Sequence, residues 1–447
     1  MYKKSYYNFS KSNEKNTVLY NSMTGAIAYI PNIELHRLNF NSSNKNQLLF
    51  DDVLFKNGFI IESSTDEKEL LKKRYEYARN NNVITQITLL PTENCNFACP
   101  YCFLYDTTPK RMESIDYEKI YMFIQNKITS GSKNIIINWF GGEPSLEAEN
   151  IVKFMKNLNQ NIGKEITISS TITTNGYLLN YNLFKQFLNS GIDTFQVTVD
   201  GNKESHDEQR YLKSGKGTYD TILKNIIEII NNVSDSDKFM FNVRSNFTQK
   251  TIKVSDEQID NLKKIFGSDD RFNLYFRPVY EYETNHNSLE NFNHELYSIE
   301  DGILLQNKLY QKINKAFDRV DSSTTMRMLQ PLPQPTFTWC NSDKKDTYII
   351  SPNGDLYMCD TLFGDDKFII GNINDKFLAD YNSEYNNWNK SIFDDYKAIK
   401  CMECKLLPVC FGSCRRNRFI SGEDFNCYWT EEYIYKILDE ILYSNKI

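Results

Sequence analysis

Between residues 84 and about 280 the chain alternates strand-like and helix-like segments, and this alternation constrains its fold more than any other feature. The run at 84–90, rich in β-branched residues, and those at 134–139, 165–172, 194–199, 239–244 and 273–277 read as strands. The stretches between them, 117–128, 146–157, 182–189, 219–232 and 256–266, carry apolar residues at helical spacing. This rhythm implies a parallel sheet with right-handed crossovers. Six units are too few for a closed eight-fold barrel, so the expected class is α/β, an open partial (β/α)6 barrel.

Barrels of this kind place their chemistry just past the C-terminal ends of the strands, and polar motifs fall at those positions here. The first strand leads into Cys95-Asn96-Phe97-Ala98-Cys99-Pro100-Tyr101-Cys102, three thiols separated by three and then two residues. A structural zinc takes four protein ligands, and no fourth lies nearby. Three thiolates on one loop suit an iron–sulfur cluster whose remaining iron is open to a small molecule. Gly141-Gly142-Glu143-Pro144 follows the second strand. Its glycines let the backbone approach a ligand closely, and Glu143 offers a carboxylate to an ammonium group. Thr174-Asn175-Gly176 follows the third strand, Asp200-Gly201 the fourth, and Arg244 ends the fifth with a guanidinium fork suited to a carboxylate. His206, in His206-Asp207-Glu208-Gln209-Arg210, reads as part of a solvated loop or a local structural hydrogen bond; neither it nor Arg277 is assigned catalysis.

The ten cysteines are not scattered: three lie at 95–102 and seven between 340 and 427. In a chain expected to be cytoplasmic, such clustering points to metal or catalysis rather than disulfides. That expectation rests on the lack of a bilayer-length apolar run and of a signal-peptide core at the start. A net charge of −6, from 52 Lys+Arg and 58 Asp+Glu, suggests no nucleic-acid partner, and no membrane partner is expected either. The seven later thiols run Cys340, then Gly354 and Cys359, then Cys401-x2-Cys404-x5-Cys410-x3-Cys414, and finally Cys427. A zinc ribbon on Cys401, Cys404, Cys410 and Cys414 would leave Cys340, Cys359 and Cys427 unexplained.

The cysteine loop, with Tyr101 before its last thiol, and the ordered strand-end motifs resemble those of the radical S-adenosylmethionine (SAM) enzymes. In that family the open iron binds the amino and carboxylate groups of SAM, which one electron cleaves to a 5′-deoxyadenosyl radical. The partial TIM-like barrel is also that family's architecture. The resemblance implies that Cys95, Cys99 and Cys102 hold the cluster. It also implies that Tyr101, Gly141, Gly142 and Glu143 meet SAM, Glu143 at its amine. Asn175 and Asp200 would line the ribose and carboxylate, with Arg244 pairing the carboxylate. The seven-thiol pattern is similar to SPASM, an extension that holds two auxiliary 4Fe–4S clusters. Cys401, Cys404, Cys410 and Cys427 would ligate the outer one, and Cys340, Cys359 and Cys414 the inner one. Some members supply a further cysteine where this chain has Asp346, so the fourth inner ligand is left open among a carboxylate, solvent and substrate. Three 4Fe–4S clusters, SAM and an external flavodoxin- or ferredoxin-type electron donor follow.

Residues 1–83 contain no cysteine. Runs at 17–20 and 26–30 flank Met23-Thr24-Gly25 as a hairpin, and 66–78 reads as a charged amphipathic helix. The order resembles the winged-helix domain by which many peptide-modifying enzymes bind a leader peptide as an added strand; a structural cap or lid is the alternative. The expected domains are 1–83 for peptide recognition, 84–328 for the barrel and 329–447, opening on a Pro-rich linker, for SPASM. The leading functional expectation is a maturase that modifies a ribosomally made precursor peptide, forming a cysteine thioether crosslink. The alternative is an anaerobic sulfatase maturase making formylglycine. Cys359-Asp360 favours it, since that subgroup has an aspartate beside the equivalent cysteine as its proposed base. The long N-terminal extension counts against it. A third expectation, a non-catalytic metal-binding peptide adaptor, is opposed by the intact thiol loop and Gly-Gly-Glu-Pro.

Overall fold

In a computed structural model, residues 2–38, 48–102, 109–279, 295–317, 332–374, 386, 388–422 and 425–443 are described. The first of them build more than a hairpin. Strand β1 (Tyr2–Lys4) is followed by an antiparallel meander of β2 (Asn8–Ser12), β3 (Asn16–Asn21) and β4 (Ile27–Pro31). Helix α1 (Leu48–Lys56) leads to β5 (Ile60–Glu62), which pairs antiparallel with β1. Leu19, Ile30, Leu54, Phe59 and Ile60 form the small core beneath. Asp66 then caps α2 (Glu67–Asn80) by accepting from the Glu69 amide. Leu71, Tyr75 and Arg79, four residues apart, are the buried stripe of that helix.

The expected alternation is present in full. Strands β6 (Ile84–Leu89), β7 (Asn134–Trp139), β8 (Thr167–Thr174), β9 (Thr194–Thr198), β10 (Met240–Phe247) and β11 (Phe272–Pro278) lie parallel in sequence order. Helices α3 (Ser114–Thr129), α4 (Ala148–Asn161), α5 (Tyr181–Asn189), α6 (Lys203–Gln209), α7 (Tyr219–Asn232) and α8 (Ser255–Phe266) connect them, and α9 (Ile299–Ala316) follows β11. One face of the sheet is mainly apolar: Ile87, Leu89, Ile135, Ile137, Trp139, Ile172, Phe195, Val197, Phe241, Val243 and Phe272 are all buried, with Thr85, Ser170, Thr174 and Ser245 among them. Each such side chain contributes about 1.5–3 kcal/mol when withdrawn from water. The other face is polar and only half-buried.

The sheet does not stop at six strands. The open edge of β6 is taken by β12 (Thr347–Ile350), in parallel register from Thr347 against Gln86 to Ile350 against Leu89. β13 (Asp355–Tyr357) and β14 (Gly371–Asn372) then add antiparallel, making nine strands in all. The C-terminal helices are α10 (Leu407–Cys410), α11 (Arg415–Ser421) and α12 (Glu431–Tyr443).

The compact units follow a different division from the expected three domains. The chain forms two compact units, one of Met1–Asn81, Asp321–Lys345 and Trp388–Ile447, the other of Asn82–Val320 and Asp346–Asn387. The expected boundary at 328/329 lies outside the described residues, as do 329–331 of the linker. The thiol-rich region is split for a physical reason. Residues 347–350 complete a sheet edge that would otherwise expose unpaired backbone. Residues beyond 388 share a core with the N-terminal segment, in which Tyr7, Leu71 and Tyr75 pack with Ile392, Ala398, Cys401, Leu407, Phe411 and Phe425. Hydrogen bonds from Tyr6 Oη to the Glu403 carbonyl, Ser22 Oγ to the Lys405 carbonyl and Tyr20 Oη to the Pro333 carbonyl reinforce that union. Helix α12 packs on β2 and β3, with Tyr435 edge-on to Phe9 at 5.9 Å. The N-terminal segment is thus part of a larger unit, not a free-standing domain.

Candidate active site

The loop after β6 is held from two sides. Ala98 N donates to the Tyr211 carbonyl and Lys213 N to the Asn96 carbonyl, each at 2.9 Å, and Phe97 forms a bridge with Leu212. On the other side Gly142 N donates to the Thr92 carbonyl at 3.0 Å and Glu143 N to the Asn94 carbonyl at 2.8 Å. These contacts explain the paired glycines. A Cβ on Gly142 would lie 2.2 Å from the Asn94 carbonyl oxygen, and one on Gly141, which has φ +111°, 2.5 Å from that of Thr92. The glycines are required where two strand-end loops touch, and the loop they touch runs directly into Cys95. Gly142→Ala is expected to cost about 1–3 kcal/mol by overpacking and to lower iron incorporation at the thiol loop. Urea unfolding of the apoprotein and iron analysis after reconstitution check this; wild-type values in both would show that the loop yields freely.

Glu143 is engaged within the protein. It is buried, and its Oε1 accepts from Ser145 N (2.9 Å), Ser145 Oγ (2.5 Å) and Thr174 Oγ1 (2.6 Å). Its Oε2 accepts from Asn175 N at 2.7 Å. The carboxylate therefore binds the β7 loop to the β8 loop. Asn175 passes the link on, donating Nδ2 to Asn96 Oδ1 at 2.7 Å and to Cys95 Sγ at 3.8 Å. Asp200 is likewise engaged in the protein. Fully buried, it accepts from Tyr101 Oη and, at 2.6 Å, from Asn246 N. Its own amide donates to His206 Nδ1 at 3.1 Å. Burial holds His206 well below the usual imidazole range, and Arg210 adds to this. The ring is neutral, its Nε2 meeting Thr218 Oγ1 at 3.1 Å. His206 thus makes a structural hydrogen bond inside α6; it is not in a solvated loop.

Arg210 is the residue that sequence reasoning missed. It is buried, donates to Tyr101 Oη at 2.7 Å and lies 5.6 Å over the Phe97 ring, while its Nε has no hydrogen-bond partner. Nothing in the run His206–Arg210 distinguished its last residue, because its partners Tyr101 and Phe97 lie more than a hundred positions away. Arg244, expected at a carboxylate, has its Nε on Asn246 Oδ1 at 2.9 Å and its guanidinium beside Tyr275.

Burial pushes the Cys95 and Cys99 thiols up to about 11, with Glu143 adding to the effect on Cys95 and Arg210 opposing it on Cys99. A metal binding here displaces thiol protons. Cys102 packs against the apolar cluster of Leu90, Ile349, Tyr357 and Phe363. Tyr357 and Phe363 flank Cys359 and Asp360, so the structure brings that pair's segment to the thiol loop. Cys359 is buried, with its sulfur 3.1 Å from Thr361 Oγ1 and 3.7 Å from Asp360 Oδ1; Asp360 is exposed. Asp346, the position considered for a further ligand, is ion-paired with Lys127 at 2.9 Å.

In the other unit Cys401, Cys404, Cys410 and Cys427 are electrostatic neighbours. Burial pushes Cys401 up to about 11 and raises Cys404 and Cys410, each helped by adjacent thiols. Between Cys410 and Cys414 the backbone passes through three consecutive positive φ values, at Phe411 (41°), Gly412 (77°) and Ser413 (63°). Two of these are strained for L-residues, and the buried Arg418 holds the turn by donating to the Gly412 carbonyl at 2.8 Å. Cys340 and Cys414 lie in this unit and Cys359 in the other. Among the described residues no three Cys, His, Asp or Glu side chains are gathered as metal ligands. The donor set, soft thiols already in neighbouring positions, suits iron–sulfur chemistry.

Residues 89–243 match the Radical SAM superfamily model. The chain is 25% identical over 381 residues to the cysteine-type anaerobic sulfatase-maturating enzyme of Clostridium novyi, covering 79% of this chain and 95% of that protein. It is 22% identical over 457 residues to the radical SAM cyclopropyl synthase TigE of Paramaledivibacter caminithermalis, covering 92% and 88%. Its fold is similar to that of Streptococcus suis SuiB bound to the precursor peptide SuiA, with a TM-score of 0.55, 14% identity, and coverage of 95% and 98%. Among the described residues no helix is long and apolar enough to cross a membrane. The β6 thiol loop, the Gly-Gly-Glu-Pro turn and these likenesses agree: the chain carries a radical SAM domain, and it is an enzyme.

Proposed function

We propose that this enzyme is a peptide maturase of the SPASM type, abstracting hydrogen from a residue of a ribosomally made precursor peptide and forming a cysteine thioether. The observation that carries the reading is the length of the likeness. TigE and SuiB both match over nine-tenths of this chain, whereas the sulfatase maturase leaves about a fifth unmatched. A 4Fe–4S cluster on Cys95, Cys99 and Cys102 with SAM supplies hydrogen abstraction that no side chain can perform. Around it the chain's own residues act by positioning. Glu143, Asn175 and Gly142 fix the loop, and Tyr101, Asp200 and Arg210 anchor its far end. Arg210 replaces Arg244 as the candidate for the SAM carboxylate, because its buried Nε lacks a partner. Seven later thiols hold two auxiliary clusters that take up the electron left on substrate, and a flavodoxin- or ferredoxin-type protein supplies the priming electron. The meander β2–β4 with α1 and α2 serves as the leader-binding element, β4 being one of its two edge strands among the described residues.

Sulfatase maturation is the second reading, favoured by the 95% coverage of the Clostridium novyi protein and by Asp360 beside Cys359 near the thiol loop. One experiment separates the two. A candidate precursor peptide encoded nearby is co-expressed anaerobically with the enzyme, and its mass compared with that from a Cys99→Ala control. Loss of two hydrogens together with a cysteine that no longer alkylates is the expected result. An unchanged precursor, with a hydrazide-reactive aldehyde formed instead on a cysteine peptide from a sulfatase, would replace the first reading by the second.

A further inference from the structure

The six parallel strands β6–β11 contain two charged residues between them, Arg244 on β10 and Arg277 on β11. Strand alternation puts both on the half-buried polar face, with Thr88, Asn138, Thr173, Gln196 and Tyr275. The register sets Arg244 opposite Tyr275 and Asn246 opposite Arg277. The two guanidinium groups therefore belong to one patch spanning neighbouring strands. Arg244 is tied to Asn246, and Tyr275 donates to Gln196 Oε1. The carboxylates at this end of the sheet, Glu143 and Asp200, are already filled by donors from the protein. Among the described residues no carboxylate is paired with Arg277.

A half-buried guanidinium on a face whose described strand residues include no acid is poorly compensated, and it gains most from an anion that accepts two parallel hydrogen bonds. Arg277 is the penultimate residue of β11, at the strand end where barrel enzymes meet their substrates. We infer that Arg277 is a specificity residue that binds a carboxylate of the peptide substrate, either an Asp or Glu side chain or the free C-terminus. The inference rests on the peptide-maturase reading. It adds that the segment lying along β10 and β11 is acidic.

The test uses reconstituted holoenzyme with SAM and a randomised decapeptide library containing one fixed cysteine, selected anaerobically and sequenced by mass spectrometry. Two versions of the library, with free and amidated C-termini, distinguish the sources of the carboxylate. Wild-type enzyme should enrich acidic peptides by roughly tenfold, the worth of a charge-assisted hydrogen bond. Enrichment of Asp or Glu in the amidated library assigns a side chain, and enrichment of free over amidated termini assigns the terminus. Arg277→Gln should lose the preference, and Arg277→Lys, which keeps the charge and controls for folding, should retain part of it. No acidic enrichment by the wild type, or undiminished enrichment by Arg277→Gln, overturns the inference. Failure of wild-type holoenzyme to form 5′-deoxyadenosine from SAM is a different result, and it removes the underlying function instead.

Discussion

Under the proposed function, with three clusters, Cys99→Ala should abolish 5′-deoxyadenosine formation and remove about four of about twelve irons per chain. Cys99 is the most enclosed thiol of the loop, 8% exposed. Its carbonyl accepts from Cys102 N at 3.1 Å, so it also sets the turn that presents the third thiol. Alanine keeps that backbone bond but removes the thiol that the proposed function makes a cluster ligand, and the carboxylates of Glu143 and Asp200 are engaged elsewhere. Cys99→Ser should fail similarly, because a hydroxyl is a hard, weakly acidic ligand where iron–sulfur chemistry needs a soft thiolate. Anaerobic incubation with SAM and dithionite, followed by chromatography of the nucleoside and iron analysis, measures both effects. A variant that still produced 5′-deoxyadenosine would remove this loop from the chemistry. Unchanged iron with lost activity would mean that the thiol serves SAM cleavage without holding metal.

The barrel strands were legible because each carries its own signal. Apolar-rich runs of five to eight residues, bounded by turns, lie within a few positions of the expected spans, and so do the connecting helices other than α6. What could not be read is what depends on pairing across long separations. Thr347–Ile350 looks like any short strand, and only the vacant edge of β6, some 260 residues earlier, decides where it goes. Strand β2, Asn-Phe-Ser-Lys-Ser, has one apolar residue, and that residue, Phe9, is buried by β3 and the C-terminal α12 rather than by anything local. The same holds at the site. The Gly-Gly-Glu-Pro turn was visible as a motif, but the Glu143 link to Thr174 and Asn175 spans more than thirty residues. A carboxylate at a strand end looks identical in sequence whether it faces a ligand or a neighbouring loop. Whether such a carboxylate stays free depends on which donors the fold delivers to it.

Asp343→Ala should lower the stability of the first unit by about 3–5 kcal/mol, the usual cost of leaving half of a buried ion pair. The Asp343 and Arg415 side chains are 1% and 5% exposed, joined from Nε to Oδ1 at 2.7 Å. Arg415 also donates to the Tyr75 hydroxyl at 2.8 Å and to the Lys390 carbonyl at 2.9 Å. Asp343 accepts from Trp339 N at 2.9 Å and donates its amide to the Cys340 carbonyl at 3.2 Å. The pair therefore joins α2, the Cys340 turn and the start of α11 beside Cys414. Removing the carboxylate strands a guanidinium in the interior and loosens the Cys340 turn together. Urea unfolding of the apoprotein, followed by tryptophan fluorescence, reads the first effect. The double variant Asp343→Leu/Arg415→Met tests the cause, because an apolar pair of similar volume is often neutral or stabilising. It should recover most of the loss if the stranded charge dominates. If the double variant stayed as unstable as Asp343→Ala, the damage would lie in the lost Trp339 and Tyr75 hydrogen bonds. A single-variant loss below about 1 kcal/mol, the range of surface pairs, would show that water reaches the site once the carboxylate is gone.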